Sequence, residues 1–364
     1  MTDLTNLDIC FIAGTLGQGG AERQLYYILK ALKQSGARVR LLCLTQGEFW
    51  EKGILELGIE IVWVGQHGGK AGRLARIISA LRQNRPHVLQ SQHFYTNLYA
   101  VAAARLLGCR EVGALRNDCT SEVKASGLVA GRLSLRAPRT IAANSRAAIR
   151  YAVELGVPSG RLNLLHNVVD TNRFKPATGT ASTRLPHLIA VGRLEAQKRI
   201  DRFLSVVARL RELTNIPFKA TIVGDGTLRT SLERQAAELG LLAGVVEFRG
   251  VVPDIAPVYR EADILVMTSD HEGTPNVALE AMASGLVVVA PRVGGLPDII
   301  GDGERGFLVD GKDESSIATL VLSLMNSQGR RAKIGSNARD YVLANHSPER
   351  LPAALRDVYE VALS

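Results

Sequence analysis

Short apolar runs alternate with amphipathic stretches along nearly the whole chain of 364 residues. A repeated strand–helix–strand pattern predicts a parallel sheet covered by helices on both faces. The alternation stops once, in the polar segment 167–186, and then restarts. We therefore predict an α/β fold of two Rossmann-like, doubly wound parallel-sheet domains that face an interdomain cleft. The first domain is expected over residues 1–173 and the second over residues 174–347, with segment 167–186 as a linker that acts as a hinge.

The predicted strands are short apolar runs, seven in the first half and five in the second. In the first half they are LDICFIAG, ARVRLLCL, IEIVWVG, HVLQS, EVGAL, TIAAN and RLNLLHN. In the second half they are HLIAVGR, FKATIVG, VVEFRG, DILVMTS and LVVVAP. The stretch after the first strand predicts a helix, because Leu25, Ile28, Leu29 and Leu32 would share one face. A final helix is predicted over residues 348–364.

Charge is unevenly distributed, although the net value is only +9. Residues 1–180 hold 23 Lys and Arg against 12 Asp and Glu, and the rest hold 21 against 23. A basic first half favours an acidic partner, such as an anionic membrane leaflet or nucleic acid, and the alternative is solubilising charge. Aromatic residues make up 5% and do not alternate with basic residues, so we expect no nucleic acid partner.

Two basic helical segments, 70–85 and 124–139, combine cations with leucine and isoleucine. They could rest on anionic lipid or receive a lipid-linked acceptor. The alternative is a pair of packed helices with a solvated basic side.

The cysteines and the N-terminal sequence indicate the cellular compartment of the protein. Cys10, Cys43, Cys109 and Cys119 lack CxxC and zinc-finger spacing, and such thiols are typically reduced and buried in a cytosolic protein. The N-terminus has no signal-peptide pattern, and no apolar run approaches the roughly 20 residues that span a bilayer. We expect a cytoplasmic protein, either soluble or peripheral at the inner face of the membrane.

The segment EGTPNVALEAMASG, residues 272–285, carries the most specific motif. Glu272 and Glu280 lie eight positions apart around a predicted helix start, with Pro275 in its first turn. The amides at that start would favour an anion, and the two carboxylates would suit hydroxyl groups. A sugar nucleotide has these features, because its diphosphate anion lies between two groups that are rich in hydroxyls. The alternative is a buried helix on which Glu280 is a solvated side chain. The candidate ligand-binding residues between the glutamates are Gly273, Thr274, Pro275, Asn276 and Val277.

This spacing resembles the Glu-x7-Glu motif of the retaining glycosyltransferases of family 4, which have the GT-B fold. Other segments resemble the family in the same order, namely GTLGQGGAERQ, AVGRLEAQKRIDRFL, GDGTLR, FRGVVPD and PRVGGLPDII. The resemblance implies that Glu272 contacts sugar hydroxyls and that Glu280 contacts the ribose. It also implies that the final helix crosses back onto the first domain.

Two further pairs of residues match the family's phosphate-binding positions. Arg193 and Lys198 match an Arg-x4-Lys pair whose cations hold the diphosphate, and the alternative is two surface cations. Gly19 and Gly20 would let the backbone approach a diphosphate closely, and the alternative is a glycine turn without a ligand.

Val252 and Asp254 match positions that read the nucleobase in the family. Asp254 could equally cap a helix. Where many relatives carry a histidine close to the transferred sugar, this chain has Arg116, so a histidine-based role cannot be transferred. Arg116 is instead expected to bind an acidic group of the donor or acceptor. His93 is a further candidate lining the cleft, and the alternative for a lone histidine is a structural role.

No Asp-x-Asp triplet is found, so we predict a metal-independent enzyme without a cofactor. Cations and helix amides would then stabilise the leaving diphosphate. The expected function is transfer of a sugar from a nucleotide-diphospho-sugar, expected to be a UDP-sugar, to a glycan or lipid-linked acceptor. The resemblance implies retention of the sugar's anomeric configuration. The acceptor would then attack the sugar on the same face from which the leaving group departs, and no residue would act as a covalent nucleophile. The alternatives are a nucleotide-sugar epimerase of the same fold and a non-catalytic basic binding protein.

Overall fold

The computed structural model describes residues 3–66, 69–177 and 185–364. The chain divides into two compact units. We call Met1–Val168 with Pro348–Ser364 the first domain and Val169–Ser347 the second domain. The division follows residue 168, whereas the sequence placed it after residue 173. Residues 178–184, in the predicted linker, lie outside the described residues.

The first domain contains a seven-stranded parallel sheet in the order β3-β2-β1-β4-β5-β6-β7. Each strand coincides with one of the seven predicted apolar runs. The strand order reverses between β1 and β4, and in such sheets ligands bind beside the carboxyl ends of the strands at this point. The strands are β1 (Asp8–Ala13), β2 (Arg38–Cys43), β3 (Glu60–Trp63), β4 (Val88–Ser91), β5 (Arg110–Leu115), β6 (Thr140–Ala143) and β7 (Leu162–Leu164).

Helices pack on both faces of this sheet because successive strand residues point to opposite sides. In β1, Ile9 and Phe11 join one apolar cluster, while Cys10 and Ile12 join another. The four apolar residues predicted to share a face of the first helix are all fully buried. The helices are α1 (Gly20–Gln34), α2 (Glu51–Glu56), α3 (Lys70–Arg82), α4 (Asn97–Leu107), α5 (Cys119–Ala125), α6 (Leu128–Arg136) and α7 (Arg146–Glu154).

The second domain contains a six-stranded parallel sheet in the order β10-β9-β8-β11-β12-β13. The sequence predicted five of these strands and missed the edge strand β13. The strands are β8 (His187–Val191), β9 (Lys219–Val223), β10 (Val246–Gly250), β11 (Ile264–Val266), β12 (Val287–Pro291) and β13 (Phe307–Val309). The helices are α8 (Ile200–Leu213), α9 (Arg229–Glu238), α10 (Ala256–Glu261), α11 (Asn276–Ala283), α12 (Leu296–Ile300), α13 (Glu314–Met325) and α14 (Gln328–Asn345).

The last helix, α15 (Leu351–Leu363), belongs to the first domain and packs beside β4 to β7. It begins three residues later than predicted, because a 3-10 turn occupies Pro348–Arg350. Its Tyr359 is fully buried and donates its hydroxyl to Gln90 Oε1 on β4 at 2.7 Å. This bond anchors the C-terminal helix to the middle of the sheet.

The first part of the predicted linker is packed rather than loose. The Val168 amide donates to Gln24 Oε1 at 2.8 Å, and Gln24 Nε2 donates back to the Val168 carbonyl at 2.8 Å. Phe174 is buried in the second domain. All four cysteines are free and buried. No helix among the described residues combines the length and hydropathy that crossing a bilayer requires.

Candidate active site

Lys198 is held by an unusual turn after β8. A 3-10 turn over Ala196–Lys198 is followed by Arg199, which has a left-handed backbone with φ of +50°. A residue with a side chain rarely adopts this conformation, so its surroundings must hold it there. The Thr268 hydroxyl does so by donating to the carbonyls of Arg199, at 2.7 Å, and Lys198, at 3.2 Å.

The Arg199 guanidinium is itself fixed by two carboxylates. Its Nε and Nη2 donate to Asp201 at 3.0 and 2.7 Å, and its Nη1 donates to Asp270 at 3.3 Å. Arg202 also donates to Asp270, at 2.6 Å. This network joins the start of α8 to the segment after β11, and it fixes the direction in which Lys198 projects.

Lys198 and Glu272 form a largely buried ion pair, with 2.7 Å between Lys198 Nζ and Glu272 Oε1. Their side chains are 17% and 6% exposed. The structure therefore joins two predicted site residues that are far apart in the chain. Gly294 packs so closely on this segment that a Cβ added to it would lie 1.6 Å from the Glu272 carbonyl oxygen. The Gly295 amide donates to the Gly273 carbonyl at 2.8 Å.

Helix α11 begins one residue later than the sequence suggested. Pro275 is the N-cap residue, not a first-turn residue, and its side chain cannot cap the helix. Helix geometry leaves the first amides, those of Asn276 and Val277, without acceptors inside the helix. Gly273 and Thr274 are buried beside this start. The arrangement keeps positive backbone dipoles next to the Lys198–Glu272 pair.

Glu280 is buried on α11 and is not the solvated side chain of the alternative interpretation. It is 2% exposed, and its Oε2 accepts the Tyr259 hydroxyl at 3.1 Å. Tyr259 is itself fully buried and also donates to the Val277 carbonyl at 3.3 Å. A carboxylate held so far inside must be satisfied by several donors, because burial without them is costly.

Arg193 differs from Lys198, its predicted partner, in its exposure and its contacts. Its side chain is exposed, and it makes no hydrogen bond or ion pair within the described part of the chain. The contacts of the structure therefore place Lys198 with Glu272 and leave Arg193 in solvent. An exposed guanidinium can still bind an arriving phosphate.

Asp254 lies just before Ile255, the N-cap residue of α10, and its carboxylate is already hydrogen-bonded. Its Oδ1 accepts the Ala256 amide at the start of α10, at 3.1 Å, and accepts Nη2 of Arg173 at 2.8 Å. The hydrogen bond from Arg173 lowers the pKa of Asp254. Val252 is half-buried nearby in sequence. The carboxylate is thus already engaged, and reading of a base at this segment would fall to the backbone.

The glycine loop of the first domain is occupied by the chain's own side chains. A Cβ on Gly19 would lie 2.0 Å from Glu22 Oε2. The Gly19 amide donates to the Gly17 carbonyl at 2.8 Å, and Gly20 opens α1. Gly19 therefore has a structural requirement of its own, because a larger residue would displace the Glu22 carboxylate.

His93 follows β4 and is bonded on both ring nitrogens. Its Nδ1 accepts the Gly14 amide at 3.1 Å, and its Nε2 lies 3.2 Å from Glu22 Oε1. Because an amide can only donate, Nδ1 carries no proton, and the neutral ring must donate from Nε2 to Glu22. His93 is thus fixed in one tautomer at the carboxyl ends of β1 and β4.

Arg116 follows β5 and is only 9% exposed. Its Nη1 donates to the Leu165 carbonyl at 2.7 Å, and its own carbonyl accepts Asn144 Nδ2 at 2.6 Å. Desolvation lowers the pKa of Arg116 to about 10. Its Nη2 is buried and has no hydrogen-bond partner within the described residues. The expected contact with an acidic ligand stays a prediction.

Several residues that build these sites were not predicted from the sequence. Thr268, Asp270 and Arg199 fix Lys198, and Glu22 pairs with His93. In the sequence, Arg199 lies beside Lys198, and Glu22 lies two residues after Gly20. Among the described residues, no group of three or more His, Cys, Asp or Glu has an arrangement that could hold a metal ion.

Comparison with curated proteins gives relatives that match this chain over part of their length. It is 36% identical over 240 residues to D-inositol 3-phosphate glycosyltransferase 2 of Catenulispora acidiphila, covering 61% of this chain and 56% of the relative. It is 35% identical over 214 residues to the GDP-mannose-dependent alpha-(1-6)-phosphatidylinositol monomannoside mannosyltransferase of Mycolicibacterium smegmatis, covering 54% and 55%. The chain thus spans little more than half the length of these relatives.

Solved structures give the same architecture over the whole chain. HepE from Anabaena in complex with UDP has a TM-score of 0.85 at 18% identity, covering 97% of this chain and 100% of that one. The lipopolysaccharide outer core galactosyltransferase WaaB in its apo form has a TM-score of 0.78 at 17% identity, covering 97% and 99%. The predicted GT-B fold class is confirmed.

Two family matches meet at residues 172 and 173, a few residues after the division of the fold at residue 168. Residues 18–173 match the family described as Glycosyltransferase Family 4, and residues 172–341 match Glycosyl transferases group 1. Together they cover every candidate site residue and all strands of both sheets except β1, which lies before residue 18. The chain therefore belongs to the group 1 and family 4 glycosyltransferases.

Proposed function

We propose that this protein is a retaining hexosyltransferase that moves a sugar from a UDP-sugar to a glycan or lipid-linked acceptor, without a metal or other cofactor. The observation that carries the proposal is the buried Lys198–Glu272 ion pair beside the start of α11. A cation, helix-start amides and a carboxylate that can accept hydroxyls are the groups that a diphospho-sugar requires.

The ion pair suggests how donor binding would proceed. Without a ligand, Lys198 neutralises Glu272. An arriving diphosphate offers Lys198 a stronger anionic partner, and the sugar hydroxyls offer donors to the Glu272 carboxylate. The exchange keeps both buried charges compensated, which limits its energetic cost. In the transition state, Lys198, Arg193 and the amides at Asn276 and Val277 would stabilise the charge developing on the leaving phosphate.

The nucleotide differs between a structural neighbour and a relative. HepE, a structural neighbour, was solved with UDP, and the Mycolicibacterium smegmatis relative is GDP-mannose-dependent. We propose uridine, with the backbone after β10, at Val252, contacting the base and Glu280 contacting the ribose. UDP- and GDP-sugars must therefore be compared directly.

The acceptor is proposed to carry an acidic group. Arg116 is a buried guanidinium whose only hydrogen bond within the described residues is to a carbonyl, and such a charge is stabilised by an anion. A phosphate or carboxylate of the acceptor would supply that anion once Nη2 becomes accessible.

Membrane contact is proposed for one surface of the first domain. Residues 61–140 hold twelve Lys and Arg against three acidic residues, an excess equal to the net charge of the whole chain. On α6, Val129 and Leu133 are 75% and 53% exposed, and at helical spacing they share a face with Arg132 and Arg136. Leu106 on the adjoining α4 is 69% exposed. Apolar side chains ringed by cations fit an anionic lipid surface.

The membrane proposal is tested by flotation with vesicles that contain or lack phosphatidylglycerol. The V129D/L133D variant should lose binding to anionic vesicles, whereas L242D, at an exposed leucine of the second domain, should retain it. Equal flotation of all three proteins, or tighter binding to DNA than to vesicles, contradicts the assignment.

The transferase proposal is tested with a panel of UDP- and GDP-sugars. One UDP-sugar should protect the protein against thermal unfolding and be hydrolysed slowly, and chelators should not change the rate. The anomeric configuration of the glycoside product, read by NMR, tests retention. Conversion of the donor sugar to an epimer without any acceptor would identify an epimerase instead. No response to any nucleotide sugar would refute the proposal and favour a non-catalytic binding protein.

A further inference from the structure

The turn that carries Lys198 has a backbone conformation that its own sequence disfavours. Among the described residues other than glycine, only Asn6 and Arg199 have a positive φ, of +68° and +50°. Asparagine tolerates this left-handed region because its short polar side chain can form local hydrogen bonds, whereas arginine lacks that compensation. Arg199 is therefore strained, and it directly follows the lysine proposed to bind the donor diphosphate. A strained residue persists only where its surroundings hold it.

The backbone of this turn is held by the segment directly after β11. The Asp270 amide donates to the Gln197 carbonyl at 2.9 Å, and Gln197 Nε2 donates to the His271 carbonyl at 2.7 Å. The hydroxyl of the buried Thr268 donates to the Arg199 carbonyl at 2.7 Å. The turn and the segment are thus bonded to each other on both sides of the lysine.

The Arg199 guanidinium adds a contact from the side chain. Its Nη1 lies 3.3 Å from Asp270 Oδ2, and its Nη2 lies 2.7 Å from Asp201 Oδ2. The side chain is 30% exposed, yet these two carboxylates already compensate its charge. An arginine paired in this way has little attraction left for a phosphate. Arg199 therefore contributes to the site through its backbone, which its guanidinium ties to Asp270.

The path of the Lys198 side chain depends on this turn. Its stem passes over Gly192, where an added Cβ would lie 3.4 Å from Lys198 Cε, and its Nζ then reaches Glu272 Oε1 at 2.7 Å. Helix α8 begins at Ile200, so a change of φ at Arg199 must be absorbed by the turn that precedes it. Such a change would move Lys198 off this path.

We infer that Arg199 is a positioning residue of the donor site: its left-handed backbone, tied through the guanidinium to Asp270, aims Lys198 at the place where the diphosphate binds. This inference rests on the proposed transferase function and adds to its site a residue that touches no ligand. A cation that is already in place needs no ordering when the anion arrives. Affinity for a nucleoside diphosphate should therefore depend on Arg199, whereas affinity for the nucleoside alone should not.

Two substitutions at Arg199 separate this role from a role of its charge. Both R199M and R199G remove the guanidinium. Methionine still disfavours the left-handed conformation, whereas glycine adopts it without a steric penalty. R199G should therefore keep Lys198 in place better than R199M does, although methionine is closer to arginine in size. R209M, which removes an exposed arginine from α8, is the matched control.

Affinities for UDP and for uridine are measured by isothermal titration calorimetry, with GDP and guanosine in their place if the guanine nucleotide is the one that binds. R199M should weaken UDP binding by about ten- to a hundredfold, as expected for loss of a charged hydrogen bond. R199G should weaken it by only about two- to fivefold, because of the flexibility of glycine. Uridine should bind all variants equally, and R209M should match the wild type.

Thermal unfolding establishes that the variants fold. If R199M does not fold, D270N replaces it, because it leaves Arg199 strained but removes the charge that ties the guanidinium, and it should weaken UDP binding in the same way. Equal losses in R199G and R199M overturn the inference, because the charge of Arg199 would then matter rather than its backbone. Parallel losses for UDP and uridine, or wild-type UDP binding in R199M, overturn it as well.

A second readout separates this inference from the transferase proposal. If the wild type binds neither UDP nor GDP, the transferase proposal fails, and acetylation by N-hydroxysulfosuccinimide acetate, followed by mass spectrometry, then tests the position of Lys198 alone. Lys198, 17% exposed, should react slowly, and Lys52, 88% exposed, gives the fast reference. R199M should bring Lys198 towards the rate of Lys52, and R199G should not. Equal labelling of Lys198 in all three proteins refutes the positioning role.

Discussion

Replacing Lys198 by methionine should destabilise the second domain as well as abolish turnover. Methionine fills a similar volume but leaves the Glu272 carboxylate, 6% exposed, without its cation. Removing one partner of a buried ion pair costs about 3–5 kcal/mol, because the remaining charge is uncompensated. Lys198 is 17% exposed, so water can partly replace it and the lower end, about 3 kcal/mol, is expected. For a domain of this size that corresponds to a fall in Tm of about 6–12 °C.

The double variant K198M/E272Q provides the internal check. It replaces the uncompensated Glu272 carboxylate with a neutral amide, so it should recover more than about half of the stability lost in K198M. Turnover should not recover, because the phosphate-binding cation is still missing. Stability and activity would thus separate within one series of variants.

The assay and the control follow from the distribution of residues. Both tryptophans lie in the first domain, so indole fluorescence during urea unfolding reports on that domain, while far-UV circular dichroism reports on both. The loss should appear in circular dichroism. R209M, which breaks the exposed Arg209–Glu212 pair, should cost less than about 1 kcal/mol. If K198M is as stable as R209M, or if the double variant is no more stable than K198M, the pair is not the buried couple described above.

Three further variants test other features. Burial and the charge of Asp118 raise the pKa of Glu122 to about 8 from 4.5, so its contribution to stability is complete below pH 4.5 and lost as the pH rises to 8. E122Q should therefore stabilise the first domain at pH 8.5 by on the order of a few kcal/mol and by much less at pH 5, in urea unfolding followed by fluorescence. G294A should destabilise the second domain by more than about 2 kcal/mol, because φ is +53° and its Cβ would overlap the Glu272 carbonyl, whereas G329A in open space should not. Y359F should cost about 1–2 kcal/mol, in the same fluorescence assay, by leaving the Gln90 amide oxygen unpaired; an unchanged midpoint would contradict its anchoring role.

The sheets could be predicted from the sequence because burial on both faces gives parallel strands continuous apolar runs. β13 escaped prediction because it has only three residues, Phe307–Val309, between polar turns, and edge strands need less apolar sequence. The start of α15 was displaced because Pro348 begins a 3-10 turn rather than the helix. These errors concern helix ends and sheet edges, where packing determines the structure more than the local sequence does.

The residues of the candidate site were harder to predict than the strands. Lys198 and Glu272 could each be picked out by the motifs around them, but a motif does not reveal that the two neutralise each other across 74 positions. Asp254 could be either a ligand-binding residue or a cap; the structure places it before Ile255, the N-cap residue of α10, and its role toward a ligand stays a prediction. The position of Glu22 near the glycine pair did not predict its contact with His93, since an acidic residue in the first turn of a helix is common for reasons of the helix dipole alone.

The glycines show why a sequence motif underdetermines a site. A glycine is required wherever a Cβ would collide with something, and the sequence does not say whether that neighbour is a ligand or the chain itself. At Gly19 the neighbour is the Glu22 carboxylate, and at Gly294 it is the Glu272 carbonyl. Both glycines thus hold a carboxylate-bearing residue in place without any ligand. At Gly294 the glycine leaves room for the segment of Glu272, which we propose to recognise sugar hydroxyls, so a change at Gly294 should act through that glutamate.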